Sequence, residues 1–543
     1  MRSISVFVVC LAVVLALQLW SGAYGIEIGT YSDDAAHFMN GMVIREYVTT
    51  ALGHDPMAFA ENYYLSYPKI APLMWPPLFH VALGLFLLPG WPPGIAALLL
   101  VALTSAWLAW RLYEITFALS GPVAAFACTG LLLTTSFVVS LSGVVMLDVA
   151  IAAFGLEAVY WLARHTQSES RRHAILFGIF TAGACLTKGN GVAVVLAPPV
   201  FMILTGRYDL LRKSGLYLAG VIVVVLAVPL LYVSTRLDAA IGDFGPVTAE
   251  VMAGRVNYYS AYLLRHLGPL VLALAFGGAW LSARRKWIGA DPETRLLAPA
   301  LTSLAVATLA FHLLTPHIIS VSRYLTAAVA PIACLAFLAA WTIADRIGTP
   351  ARRRSVYAVV AITMVVATVA ARPWPRRVLP MGYRAVVERL AATNDLAGRR
   401  LLVVSDEFGE GAFVSEVAIV NPHPAPTVVR GSKLISSENW MGQGFRLNYG
   451  SSLELLADLE ALHIAYVVLD RSDGARLLPY FNQVQALADG ERARFALVAM
   501  YEADAVSGPL RSLAVYRVTS PVPGPPRPIQ IALPHSIGRS IGR

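Results

Sequence analysis

Between residues 4 and 371 the chain runs almost wholly in uncharged or nearly uncharged stretches: 4–20, 72–89, 94–110, 115–147, 149–163, 174–187, 189–206, 215–235, 267–283, 296–311, 324–344 and 355–371. No single soluble core absorbs that much apolar surface, and in lipid each stretch must be helical because the backbone finds no water to bond. A 57% hydrophobic content against 14% charged residues, with a mean hydropathy of +0.63, agrees with a polytopic α-helical membrane protein. The net charge of +9 does not point to nucleic acid, because the Lys and Arg residues sit in short connections between apolar runs, where orientation in a bilayer explains them. Cys10, Cys128, Cys185 and Cys334 all lie inside apolar stretches without CxxC or metal-ligand spacing, so neither disulfides nor a structural zinc site is expected.

The Lys/Arg-rich connections 164–172, 207–213, 284–286 and 346–354 are placed in the cytoplasm. The loops around Lys188, 237–265 and 312–323, and everything after residue 371, then face outward. Residues 4–20 read as a first span rather than a cleaved signal peptide, and either reading delivers Asp33 to the outer side. Run 115–147 is too long for one span at ~1.5 Å per residue, and a break near Gly130 is expected. The total is about eleven to thirteen transmembrane helices, depending on whether the Pro-rich run 72–89 crosses or lies in the interface. Three regions follow: a transmembrane domain over 1–371, a soluble α/β domain over 372–520, and a Pro-rich tail over 521–543 expected to be disordered. In the soluble part, 400–405, 464–469, 495–500 and 513–518 read as strands and 452–462 as a helix with a Ser cap.

Carboxylates beside a membrane are costly to hold, so the adjacent pair Asp33 and Asp34, just beyond the first apolar run, are the first candidates for chemistry. The segment Tyr31-Ser32-Asp33-Asp34-Ala35-Ala36-His37-Phe38, leading into a surface helix, resembles the acidic motif of the GT-C glycosyltransferases that use polyprenyl-phosphate sugars. Within that superfamily it is most similar to the branch of the lipid A aminoarabinose transferase, the lipopolysaccharide-core galacturonosyltransferases and the protein O-mannosyltransferases. Trp75-Pro76-Pro77-Leu78-Phe79-His80, Met146-Leu147-Asp148-Val149, Cys185-Leu186-Thr187-Lys188-Gly189 and Arg323-Tyr324-Leu325 carry the same likeness in the same order.

The resemblance implies a glycosyltransferase of the inner (plasma) membrane. It would move a sugar from a polyprenyl-phosphate donor to an envelope glycolipid, glycan or protein acceptor on the extracytoplasmic face, with inversion at the anomeric carbon. It implies Asp33 as base, supported by Asp34, with Asp148 orienting a substrate; Lys188, then Arg323 and Lys69, as cations for the donor phosphate; and His80 and Tyr324 as substrate contacts. Trp75 stands where many relatives carry a polar or basic residue, which weakens the transfer of a role to Lys69. Some members of the family bind a divalent cation, but no ligand set for one is legible here. Partners are the lipid-linked donor, the acceptor and membrane lipid; no nucleic acid is implied.

The same residues have plainer readings. Acidic residues cap helices readily, and Lys188 and Arg323 have the placement of interfacial anchors. Glu157, inside an apolar run, pairs with a cation or stays protonated. Segment 237–265, with Tyr258, Tyr259 and Tyr262 near Arg255 and Arg265, either covers an acceptor groove or lies as an interfacial amphipathic helix. The rival function is a transporter or flippase of lipid-linked sugars without covalent chemistry; against it, no internal repeat is visible.

Overall fold

The structure, a computed structural model, describes residues 2–31, 33–71, 74–238, 246–283, 294–315, 320–346, 349–370, 380–437, 444–502, 512–519, 522–533 and 539–542. Its first two-thirds is a bundle of helices: α1 (Arg2–Ser21), α2 (Asp34–Thr50), α3 (Pro56–Ser66), α4 (Leu78–Phe86), α5 (Pro93–Thr134), α6 (Ser136–Ser142), α7 (Asp148–Ser168), α8 (Arg171–Thr187), α9 (Ala197–Thr205), α10 (Ser214–Asp238), α11 (Ala249–Ala283), α12 (Leu297–Leu314), α13 (Thr326–Asp345) and α14 (Pro350–Ala370). Among the described residues, six helices are long and apolar enough to cross a membrane: α1, α5, α10, α11, α12 and α13. Helix α13 lies at the centre, buried against α5, α7, α11, α12 and α14.

The long run 115–147 does not break at Gly130, which stays helical. It breaks at Gly121 (φ 81°, ψ −179°), directly before Pro122. Proline removes a backbone donor and drives the preceding residue out of helical geometry, and glycine accepts the positive φ that results. The same Gly-Pro break recurs in α11 at Gly268 and Pro269. Run 72–89 contributes only the nine-residue α4, too short to span a bilayer. Segment 237–265 is helical from Ala249 onward as the first part of α11; residues 239–245 and the basic group 284–286 lie outside the described residues. Buried Glu157 pairs with Arg111 at 2.6 Å and accepts from the indoles of Trp107 and Trp161, each at 3.0 Å, which settles it as a bundle ion pair.

The soluble domain opens with α15 (Tyr383–Ala392) and β1 (Arg400–Val404), followed by α16 (Glu407–Val420) and β2 (Thr427–Arg430). A short pair, β3 (Ser436–Ser437) and β4 (Arg446–Leu447), precedes β5 (Ile464–Asp470), β6 (Phe495–Glu502) and β7 (Ser512–Val518). The main sheet has the order β2-β1-β5-β7-β6, with β1 parallel to β2 and β5, and β7 antiparallel to β5 and β6. Strands β1 and β5 are almost wholly buried, as their unbroken Val/Leu runs demand. The expected Ser cap is present: Ser451 accepts from Glu454 N ahead of the Ser452–Ala461 helix. Far from lacking structure throughout, the Pro-rich tail pairs β8 (Gln530–Leu533) with β9 (Arg539–Gly542). That sequence has few large apolar residues, but backbone pairing between strands does not need them.

The two parts share one core, because α16 packs directly on α2. A Cβ on Gly29 (φ +137°) would meet Ala412 N at 2.6 Å, and one on Gly411 would meet Ala35 Cβ at 2.9 Å. Buried Glu27 accepts from the backbone N–H groups of Met381 and Gly382 at 2.8 and 2.9 Å, while Arg384 bonds Glu416 and the Ile26 carbonyl. The soluble domain thereby fixes the 26–35 segment from above.

Candidate active site

Helices α7 and α8 form an antiparallel hairpin, so Asp148 at the start of α7 and Lys188 just after α8 emerge at the same rim. Arg323 lies in the 3₁₀ turn Ser322–Leu325 that feeds α13, and Asp33 precedes α2. The structure brings these four side chains together. Arg323 pairs with Asp33 through Nη2, and its Nε lies 3.9 Å from Asp148 Oδ2; Lys188 Nζ lies 3.5 Å from Asp148 Oδ1. Tyr324 stands between the cations, its ring centroid 5.3 Å from Lys188 Nζ and 5.8 Å from Arg323 Cζ; the Tyr31 ring lies 5.3 Å from the same guanidinium. Two carboxylates and two cations, all largely buried, balance one another where each close pair interacts by about 4 kcal/mol at an effective dielectric of 20.

Asp34 is next to Asp33 in the chain but faces elsewhere. Its Oδ1 accepts from Val145 N at 2.8 Å and its Oδ2 from Gly29 N at 3.0 Å. Burial pushes its carboxyl up to about 6, and these two backbone donors oppose the rise. Asp34 thus ties the 26–31 loop to the turn that leads into Asp148.

His80 and Lys69 also lie behind the charged cluster. His37, one helical turn beyond Asp33, brings Nδ1 to 3.1 Å from His80 Nε2, with the Trp75 ring 4.5 Å away. Burial holds both imidazoles neutral; it pushes His80 down to about 3, and it lowers His37 together with the nearby positive charges of Lys188 and Arg323. Lys69 Nζ donates to the Glu407 carbonyl of α16 at 3.2 Å, and burial lowers its ammonium to about 8. Lys69 therefore belongs to the seam between the domains.

A cleft opens beside the quartet, bounded by Asp148, Asn190, Thr308, His312, Arg323 and Tyr324. The imidazole of His312 stacks on Tyr324 at 5.1 Å. Asn190, Thr308, His312, Tyr31 and His37 were not singled out from the sequence as site residues. Asn190, two positions beyond Lys188, and Tyr31, two before Asp33, had a signal in their proximity to candidate residues. Thr308 lies within an apolar run and had none, and His312, at the end of that run, reads in sequence as an interfacial hydrogen-bonding residue rather than a ligand. Both carboxylates are engaged by Arg323, and among the described residues no three His, Cys, Asp or Glu side chains converge. The described residues thus offer no three-ligand set of His, Cys, Asp or Glu for a divalent cation.

Residues 72–233 match the family described as dolichyl-phosphate-mannose-protein mannosyltransferase. No curated protein matches by sequence. In structure the chain is similar to ArnT from Cupriavidus metallidurans in the apo state, with a TM-score of 0.56 and 15% identity over 97% of this chain and 100% of that one. The same protein bound to undecaprenyl phosphate aligns with a TM-score of 0.55 and 16% identity over 95% and 99% of the two chains. An Archaeoglobus fulgidus oligosaccharyltransferase tethered to an acceptor peptide gives 0.50 and 13%, covering 86% of this chain and 69% of its own. At such identities these likenesses speak for the fold, and the family match covers the helices that carry Asp148 and Lys188. Residues 72–233 thus resemble the dolichyl-phosphate-mannose-protein mannosyltransferase family, and the chain as a whole shares the fold of ArnT.

Proposed function

We propose that the protein transfers a sugar from a polyprenyl-phosphate donor to an envelope glycolipid, glycan or protein acceptor on the extracytoplasmic side of the plasma membrane. The observation that carries this reading is the convergence of Asp33, Asp148, Lys188 and Arg323 from four distant parts of the chain in one ion-paired cluster at a rim of the bundle, beside a small cleft that Asp148 and Arg323 also line. The undecaprenyl phosphate held by the structurally similar ArnT supports a lipid phosphate as the donor's carrier.

In this reading the donor phosphate settles between Lys188 and Arg323, drawing the guanidinium from Asp33 and freeing that carboxylate. Asp33 takes the proton of the acceptor hydroxyl as its oxygen attacks the anomeric carbon. The bond from that carbon to the phosphate oxygen breaks, its electron pair leaves with the phosphate, and the two cations meet the growing charge. Attack from the face opposite the phosphate inverts the anomeric centre. Asp148, between both cations, orients the donor, and Asp34 holds the backbone on which Asp33 and Asp148 ride.

The test is transfer of radiolabel from a polyprenyl-phosphate sugar in membranes carrying Asp33→Asn. A base contributes about 10²–10⁴-fold to rate, so transfer falls at least ~100-fold at unchanged protein level. Undiminished transfer removes Asp33 from the reaction. Movement of the lipid-linked sugar across vesicles with no covalent product would favour a transporter.

A further inference from the structure

With Nδ1 of His37 turned to His80 Nε2 at 3.1 Å, the other ring nitrogen of His37 points away from that pair, and among the described residues it has no hydrogen-bond partner. The side chain is fully buried, at 0% exposure, so bulk water does not serve it. Buried polar atoms left unpaired are rare and destabilising, and this one calls for a partner that the described chain does not supply. The charged side chains near enough to act on the ring are Lys188 and Arg323. Lys188 Nζ is likewise buried without a hydrogen bond, because its ion pair with Asp148, at 3.5 Å, does not make one.

The kind of partner follows from the proton that His37 carries, assigned here from the hydrogen-bond pattern. A bare lone pair at Nε2 would draw the nearby ammonium, yet neither atom bonds the other. With His80 donating its Nε2–H to His37 Nδ1, the neutral ring of His37 holds its single proton on Nε2. Two donors, one charged and one neutral, then stand unused beside the same cluster, and both lack an acceptor. The carboxylates are otherwise placed: Asp33 is taken by Arg323, Asp34 by the amides of Val145 and Gly29, and Asp148 lies between the two cations. A phosphate brings several acceptor oxygens at once.

Resting on the function proposed above, we infer that His37 is a third ligand of the donor's phosphate, its Nε2–H bonding a non-bridging oxygen while Lys188 and Arg323 supply the charge. His80 is a positioning residue: it fixes the proton on His37 Nε2 and, with the Trp75 ring 4.5 Å away, the setting of the imidazole. A neutral donor suits this place, since it meets the charge that grows on the departing phosphate without adding a third cation to retain the product.

The experiment measures equilibrium binding of undecaprenyl phosphate, and of undecaprenol as the phosphate-free control, to the purified full-length protein. His37→Phe keeps the bulk of the ring and removes its nitrogens. Affinity for undecaprenyl phosphate then falls about tenfold or more, the ~1.4 kcal/mol of one hydrogen bond to a charged group, while undecaprenol binds as it does to wild type. His37→Gln, whose amide nitrogen reaches the place of Nε2, recovers most of the loss, and the shorter His37→Asn does not. His80→Leu weakens phosphate binding by itself and adds nothing to His37→Phe, as a residue acting through that ring must; additive losses would remove His80 from this role. Wild-type affinity for undecaprenyl phosphate in His37→Phe, an equal loss with undecaprenol, or no recovery in His37→Gln overturns the inference. If the wild-type protein binds undecaprenyl phosphate no better than undecaprenol, the proposed function itself fails.

Discussion

Replacing Asp34 with asparagine separates a positioning role from a catalytic one. The carboxylate of Asp34 accepts two buried backbone hydrogen bonds, from Val145 N at 2.8 Å and Gly29 N at 3.0 Å, and so joins segments more than a hundred residues apart. Hydrogen bonds to a charged acceptor contribute about 1.5–3 kcal/mol each, and a buried donor left without its partner costs a similar amount. Asparagine keeps one oxygen for one of the two N–H groups and turns an NH₂ toward the other. We expect Asp34→Asn to lose about 2–4 kcal/mol of stability, read as a lower midpoint of thermal unfolding in detergent, with transfer activity falling in proportion to folded protein as the Asp148 turn loosens. Asp33→Asn differs in kind: it leaves Arg323 only the 3.9 Å pairing with Asp148 and so also lowers stability, but its catalytic rate per folded molecule collapses. An Asp34→Asn protein that melts like wild type yet fails to turn over would refute this reasoning and return Asp34 to the chemistry.

Further outcomes follow from the same geometry. Lys188→Ala removes a cation 3.5 Å from Asp148 and should raise KM for the lipid-phosphate donor about tenfold or more, with Lys188→Arg recovering part of the loss; an unchanged KM places the phosphate elsewhere. Gly29→Val puts a side chain where a Cβ alone would stand 2.6 Å from Ala412 N, at a φ of +137°. It should part the soluble domain from α2 and make the domain more sensitive to limited proteolysis; wild-type resistance would show that the seam does not depend on this approach. His80 is pushed down to about 3 by burial, from an ordinary value near 6.5. A depressed histidine contributes stability that is complete above pH 6.5 and is lost as pH falls from there toward 3, because the unfolded chain takes up the proton first. Thermal unfolding of His80→Gln should therefore fall less steeply than wild type between pH 7 and 4.5, and equal slopes would contradict the buried neutral pair.

The motifs legible in the chain were those whose chemistry leaves a local trace. Asp33, Asp148, Lys188 and Arg323 stand out because a charge at the edge of an apolar run needs a reason, and all four meet in the structure. Strands β1, β5, β6 and β7 were visible as short apolar runs, whereas β2, only four residues long, was not. Gly121 escaped notice as the break in α5 although the Gly-Pro pair carried the signal. Lys69, the weakest of the three cation candidates in sequence, and His80 were also singled out, and the structure gives one to the domain seam and the other to a histidine pair.

Hydropathy and charge spacing by themselves determined that the chain is a helical membrane protein with a mixed α/β domain after it, because long apolar runs in lipid and short unbroken apolar runs in a covered sheet are written residue by residue. Which side chains share a pocket was decided only by tertiary packing. Asp33 and Asp34 are neighbours on one backbone, yet a turn of about 100° per residue at the start of α2 sends one carboxylate to Arg323 and the other to the amides of Gly29 and Val145. Thr308 reaches the cleft only because α12 packs beside α7 and α13. Contacts across so many residues depend on how helices pack and on where the soluble domain presses down, and neither leaves a periodic mark in the sequence.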